Sequence, residues 1–152
     1  MALEFNTIGV KVKYAVETSA GSRPASGYLQ IPDIKGTPAI DINPNKLQVT
    51  NLEDEYHRYI DGVKSVGDSF DFTANLTASL KTAWTTLVSS AATAWASGLS
   101  TWFEIVIPNF DSFYFSGIPT ELGVNEMGID AVIESTLHVV PNSIAGWATS
   151  ST

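Results

Sequence analysis

The sequence predicts a mainly β domain carrying a single α-helix. Two observations lead there. Apolar residues alternate with polar ones in short runs separated by Pro, Gly and Ser, and one stretch alone, residues 77–97, repeats its apolar residues at helical spacing. At 152 residues the chain has the size of one domain, with a hydrophobic share of 44% that suffices for a core.

Ile8, Val10, Val12, Tyr14 and Val16 alternate with Gly9, Lys11, Lys13 and Ala15, the period of a strand with one buried face. Residues 17–27, rich in Ser, Gly and Pro, read as a loop, and a short strand is expected over 28–31. Pro32, Gly36, Pro38 and Pro44 interrupt any regular ladder, so residues 32–45 are expected to form a long loop. Its apolar residues Ile34, Ile40 and Ile42 suit docking on a partner. Strands are expected again over 46–50, 56–60 and 68–76, with Asp61-Gly62 and Gly67-Asp68 supplying turn chemistry.

In the helix, Leu80, Trp84, Leu87, Val88, Ala91 and Trp95 form one apolar face. Asn75 or Thr77 supplies the N-cap and Gly98 the stop. The opposite face holds Thr82, Thr85, Thr86, Ser89, Thr93 and Ser97, with Lys81 the helix's one charge. A freely solvated helix usually carries ion pairs there, so small neutral hydroxyls point to close approach by a neighbouring subunit. Residues 99–107 and 110–118 form a hairpin around Pro108-Asn109, apolar on both faces. After a loop over 120–128, Ile129, Ala131, Ile133, Leu137 and Val139 mark one strand face, with Asp130, Glu134, Thr136 and His138 opposite. Residues 141–152 are expected to form a flexible tail of this single domain.

The charge pattern excludes more than it assigns. Net charge is −8, and the charged share of 16% lies below the usual quarter or so. Every Lys and Arg falls between Lys11 and Lys81; beyond lie only Glu104, Asp111, Glu121, Glu126, Asp130 and Glu134. Such a chain lacks the clustered cations that grip a phosphate backbone. With no cysteine there is no disulfide framework and no thiolate metal site. The opening Met1-Ala2-Leu3-Glu4-Phe5 lacks the regions of a signal peptide, so a protein kept in a cytoplasm is expected. Residues 82–103 are uncharged and long enough to span a bilayer, but nine are Ser or Thr and Gly98 interrupts them. They read as a soluble helix followed by a strand, and no membrane is implied.

Catalytic chemistry finds little support. His57 sits in a mixed-charge run and His138 shares a strand face with Glu134, both ordinary surface positions. Asp130 and Glu134 could make a carboxylate pair for a small hydrolase, yet even spacing on a strand is also how a solvated face looks. No phosphate-binding loop or dinucleotide fingerprint is present. Trp84 and Trp95 belong to the helix's apolar stripe and read as core. Trp102 and Trp147 stay open; exposed beside carboxylates they would serve a competing reading, a monomeric β-sandwich module binding carbohydrate or another small ligand.

Residues 49–77 read VTNLEDEYHRYIDGVKSVGDSFDFTANLT. This resembles the signature region of the major tail-tube proteins of long-tailed bacteriophages: Val49-Thr50 closing a strand, the acidic turn Glu53-Asp54-Glu55, then Tyr59-Ile60-Asp61-Gly62-Val63, and a strand ending at Asn75 before the helix. Val63 stands where that family usually has Leu. The resemblance continues through Phe103-Glu104-Ile105-Val106-Ile107-Pro108, Phe115-Ser116-Gly117-Ile118-Pro119, Asn125 and Pro141-Asn142-Ser143, covering roughly residues 46–146.

The resemblance implies a β-sandwich or barrel-like fold with a flanking helix, shared with type VI secretion tube proteins, and a structural rather than enzymatic role. Subunits of this family form rings, usually sixfold, that stack into a hollow tube for DNA passage and ejection without specific binding. It further implies other tail proteins as partners (tape measure, tail tip, terminator), a place in the virion tail after assembly in the host cytoplasm, and no cofactor. On that reading Glu104, Asp111, Asp130 and Glu134 are candidates to line the lumen and repel DNA. Ile34, Ile40 and Ile42 are candidates to stack rings, and Thr82, Thr85, Thr86, Ser89 and Thr93 to contact a neighbour.

Overall fold

The computed structural model describes residues 8–65 and 69–151. In chain order it contains β1 (Lys11–Val16), β2 (Leu29–Gln30), β3 (Ile34–Gly36), β4 (Asn43–Gln48), β5 (Tyr59–Ser65), β6 (Phe70–Asn75), α1 (Ala78–Ala96), β7 (Thr101–Val106), β8 (Ser112–Pro119) and β9 (Glu134–Ala148). Seven strands form one antiparallel sheet in the order β2-β1-β7-β8-β9-β6-β3, and β4 and β5 form a separate two-stranded ribbon. The sheet curls into a half-barrel, so the expected class, mainly β and barrel-like with one flanking helix, is what the structure shows.

Alternation decides the sheet's two faces. Val12, Tyr14, Phe103, Ile105, Phe113, Phe115, Phe70, Phe72, Leu137 and Val139 point to one side and meet Leu80, Trp84 and Leu87 of α1. Phe115 is the hub, with ring centroids 5.0 Å from Phe70, 5.3 Å from Phe103 and 6.3 Å from Phe72. Each such pair adds about 0.5–1.5 kcal/mol beyond area burial. Register shifts in the β8–β9 pairing at Tyr114/Phe115 and Ser116/Gly117 bend these strands. At the second shift the strands approach so closely that a Cβ on Gly117 would stand 2.6 Å from Val139 Cγ1 and 2.8 Å from the Val140 carbonyl.

Local chemistry sets the helix ends where the sequence places them. Thr77 is the N-cap, its hydroxyl accepting from Leu80 N–H at 3.1 Å, while Thr77 O–H donates to Asp33 at 2.5 Å. Gly98 takes a φ of 76°, with Gly98 N–H on the Trp95 carbonyl and Leu99 N–H on the Ala94 carbonyl. That pair of bonds is a Schellman stop. Residues 82–103 are helix and then strand, and no described helix is long and apolar enough to cross a membrane.

Several expectations are corrected. Within the expected 32–45 loop, residues 34–36 form the edge strand β3, paired with Ala74 and Thr73 of β6, and β4 begins at Asn43. Asp61-Gly62 makes no turn: both lie inside β5, where a Cβ on Gly62 would meet the Asn45 carbonyl at 3.1 Å. Glycine serves close approach there, not reversal. Gly67-Asp68 lies outside the described residues. The expected tail at 141–152 is strand as far as Ala148, because the outer half of β8 needs a partner and residues 141–148 supply it. Conversely, residues 129–133 precede β9, and Asp130 takes a left-handed φ of 58° in a turn. Trp95, expected in the core, is 53% exposed, the buried position falling to Ala94.

Candidate functional site

The sheet face away from the core is built from polar residues of alternate register: Lys11 and Lys13 on β1, Glu104 on β7, Ser112, Tyr114 and Ser116 on β8, Asp71 on β6 and His138 on β9. At its centre Glu104 is fully buried. Its carboxylate accepts from Tyr114 O–H at 2.7 Å, from Ser151 N–H at 3.0 Å and from Ser151 O–H at 2.5 Å. Burial pushes the Glu104 carboxyl up, but the hydrogen bonds from Ser151, Tyr114 and Ser112 outweigh it and hold the group below its ordinary value. Tyr114 is itself pushed up by burial and by the Glu104 charge, and the Arg23 guanidinium lies 4.0 Å from its ring centroid. The network straps residues 149–151 across the sheet, with the Thr149 carbonyl 2.8 Å from Tyr114 Oη and Ser150 Oγ 2.7 Å from Ser112 Oγ.

The four acids expected to line a lumen are therefore not brought together. Glu104 is interior in the subunit, a correction to its candidacy as a lumen-lining acid. Asp111 sits exposed in the β7–β8 turn, Asp130 in the turn before β9, and Glu134 opens β9 in an ion pair with Lys35. Asp130 and Glu134 thus share no strand face, a correction to their expected place on one. His138 pairs with Asp71 at 2.5 Å across β6–β9 rather than with Glu134; hydrogen bonds from His138 and Ser69 lower the Asp71 carboxyl. His57 is exposed, its Nδ1 2.9 Å from Gln48 Nε2.

The isoleucines also divide. Ile34 and Ile40 pack against this subunit's own core, leaving Ile42 as the exposed member. Trp102 is buried and donates its indole N–H to Glu17 at 2.7 Å, so it offers no sugar platform; Trp147 is half-exposed against the edges of Phe110 and Phe113. Thr82, Thr85, Thr86, Ser89 and Thr93 are all exposed along α1 as expected. Among the described residues no cluster of His, Asp and Glu is arranged to hold a metal.

The ribbon carries an uncovered apolar surface. The register sets Leu47 opposite Ile60 and, on the other face, Lys46 opposite Asp61 and Gln48 opposite Tyr59. Lys46 and Asp61 form an ion pair on that face, beside a half-exposed Tyr59. Leu47 and Ile60, with Val49 beyond them, make the other face apolar, and Leu47 and Ile60 remain 51% and 52% exposed. Among the described residues the ribbon makes at most slight contact with any other strand or with α1. Its tip is ordered locally by Arg58–Asp54 at 3.0 Å and carries a wholly exposed Leu52. Leu47 and Val49, two residues apart, are the local signal of this face.

No family model matches the chain. No curated protein matches it in sequence. Solved structures do match in fold. A chain of the anti-feeding prophage (AFP) baseplate, a six-fold symmetrised cryo-EM structure, is similar with a TM-score of 0.66 and 9% identity over 96% of this chain and 97% of that one. A chain from the tail of an empty GTA particle, refined helically with C6 symmetry, matches with a TM-score of 0.59 and 15% identity over 95% of this chain and all of that one. A chain of the native gene transfer agent virion gives a TM-score of 0.59 and 14% identity over 95% of this chain. At such identities the likeness is one of fold.

Proposed function

We propose that this chain is a structural, non-enzymatic subunit of a phage-like tail that assembles with its own copies into stacked rings, forming a hollow tube through which DNA passes. The observation that carries this reading is the ribbon. A two-stranded hairpin is marginal in water by itself, and one with an uncovered apolar face calls for a cover that its own subunit does not provide. Another copy is that cover in this reading, with the ribbon bridging ring to ring in place of the Ile34–Ile40 loop. The end-to-end match to chains from tail and baseplate particles supports it, and the six-fold symmetry of two of those assemblies favours a hexameric ring. Of the four acids, Asp111 and Asp130 are exposed and free to present negative charge to passing DNA, while Glu134 shares its charge with Lys35. Tape-measure, tip and terminator proteins are the expected neighbours at the tube's core and ends. Light scattering and electron microscopy of the purified protein over a concentration series test the reading. Rings or tubes are expected; a strictly monomeric protein at high concentration defeats it.

A further inference from the structure

The charge asymmetry of the sequence has a counterpart in space. Residues 120–133 connect β8 to β9 outside any strand, with a turn at residues 129–130, and are pinned along one side. Trp84 Nε1–H donates to the Thr120 carbonyl at 2.8 Å, Ser135 O–H to the Gly123 carbonyl at 3.0 Å, and Leu76 N–H to the Ile133 carbonyl at 2.9 Å. Anchored at both ends and between, the segment is a shaped rail whose outward side chains are apolar and bare: Val124, Met127, Ile129 and Val132 are 66%, 59%, 95% and 69% exposed. Its charges are all acidic, Glu121, Glu126 and Asp130.

The complementary surface is the β1–β2 margin. Lys11 shares its row with Val106, Ser112 and Ala148, the end of β9 farthest from Glu134. The edge strand β2 pairs with Lys13 and Tyr14 alone, so this margin is thinly covered. Lys11 and Lys13 have no ion-pair partner among the described residues, and Leu29 beside them is exposed. Glu104, opposite Lys13 in register, is buried and already bound by Tyr114 and Ser151; Asp111 is the one exposed acid in the turn at this end.

We propose that a second copy of this chain docks head-to-tail, its rail of residues 120–133 against the β1–β2 margin of the first. This rests on the assembly reading above and assigns its side-by-side contact. Two different patches that fit each other make a heterologous contact, which closes into a ring when the rotation permits. Apolar side chains supply the affinity, and the opposed charges select the register in a chain whose net −8 otherwise drives copies apart.

Charge exchange tests the contact. Lys11→Glu/Lys13→Glu and Glu121→Lys/Glu126→Lys should each weaken assembly roughly tenfold or more, as unfavourable charge pairs replace favourable ones. The second variant lowers the net negative charge, so general repulsion cannot account for its loss. An equimolar mixture should assemble again, each variant meeting the other in alternation, as read by sedimentation and microscopy. Variants that assemble like the parent, or a mixture that stays apart, overturn the contact while leaving self-assembly intact. A parent that never assembles defeats the broader reading instead. Should a charge-reversed chain fail to fold, Glu121→Gln/Glu126→Gln decides: parent assembly should weaken with added salt and this variant's should not, and equal salt dependence overturns the proposal.

Discussion

The curled sheet and the β4–β5 ribbon are built by the same antiparallel pairing and finish in opposite conditions. In the sheet, Phe103 faces Phe115 across β7 and β8, and α1 covers the pair until nothing of either is exposed. In the ribbon, Leu47 faces Ile60 by the same pairing rule, and about half of each remains open to water. Strand period identifies an apolar face but not the element that covers it. The difference teaches where the subunit covers itself: the sheet and helix close over their shared apolar face, and the ribbon leaves its own open.

The comparison breaks first, and by the largest margin, at the sheet's aromatic hub. Phe115→Ala removes a fully buried ring that touches three others and should cost about 3–5 kcal/mol in denaturant unfolding of the monomer. A loss near 1 kcal/mol would mean the sheet is no better packed than the ribbon.

What the sequence showed and what it hid divide along the same line. The helix, both its caps, β1, β6 and the β7–β8 hairpin were legible because period, capping residues and Pro108-Asn109 are local signals. Residues 141–148 were not: Pro141, Asn142 and Ser143 have tail-like composition, and only the vacant flank of β8, a long-range fact, makes them strand. Glu104 was misplaced although a clue existed. A lone acid inside Trp102-Phe103-Glu104-Ile105-Val106 has apolar neighbours on both faces, and the hairpin turn sets it opposite Tyr114. That is the pattern of a buried, partnered carboxylate, and the wider acid-rich half of the chain obscured it. Of the twelve candidate residues, the five helix hydroxyls lie exposed as expected, whereas Glu104, Ile34 and Ile40 serve the subunit's own interior.

A middle-sized effect comes from that carboxylate. Glu104→Gln replaces a charge held by Ser151 and Tyr114 with an amide that cannot accept the same bonds, at a cost of about 1–3 kcal/mol. The folded group titrates below its ordinary value, so its contribution is complete above the ordinary glutamate pKa of 4.5 and fades as pH falls through the lower, folded value. The stability gap between parent and variant should therefore be full at pH 7 and narrow in acid. Residues 149–151 should also become protease-sensitive in the variant. A gap that widens in acid contradicts a depressed Glu104.

The smallest effect on the subunit is the most informative about assembly. In Leu47→Ser/Ile60→Ser the covered half of each side chain lies within a ribbon that no other strand supports, so its loss of roughly 1 kcal/mol each falls on local opening of the ribbon and global unfolding should move within about 0.5 kcal/mol. In a stacked ring those side chains would lose their remaining exposure. Full burial of such a side chain contributes about 1.5–3 kcal/mol, and half of it is still to be gained here, so each forgoes roughly 1 kcal/mol per contact. Two together lower the affinity of a single ring-to-ring contact roughly thirtyfold, and a ring makes several such contacts at once, so the loss compounds. Unfolding curves that superimpose on the parent's, alongside micrographs with rings but no tubes, are the expected pair of results. If unfolding shifts by 2 kcal/mol or more, the ribbon leans on its own subunit after all. Tubes formed at the parent's threshold concentration would place the ring-to-ring contact somewhere other than the Leu47–Ile60 face.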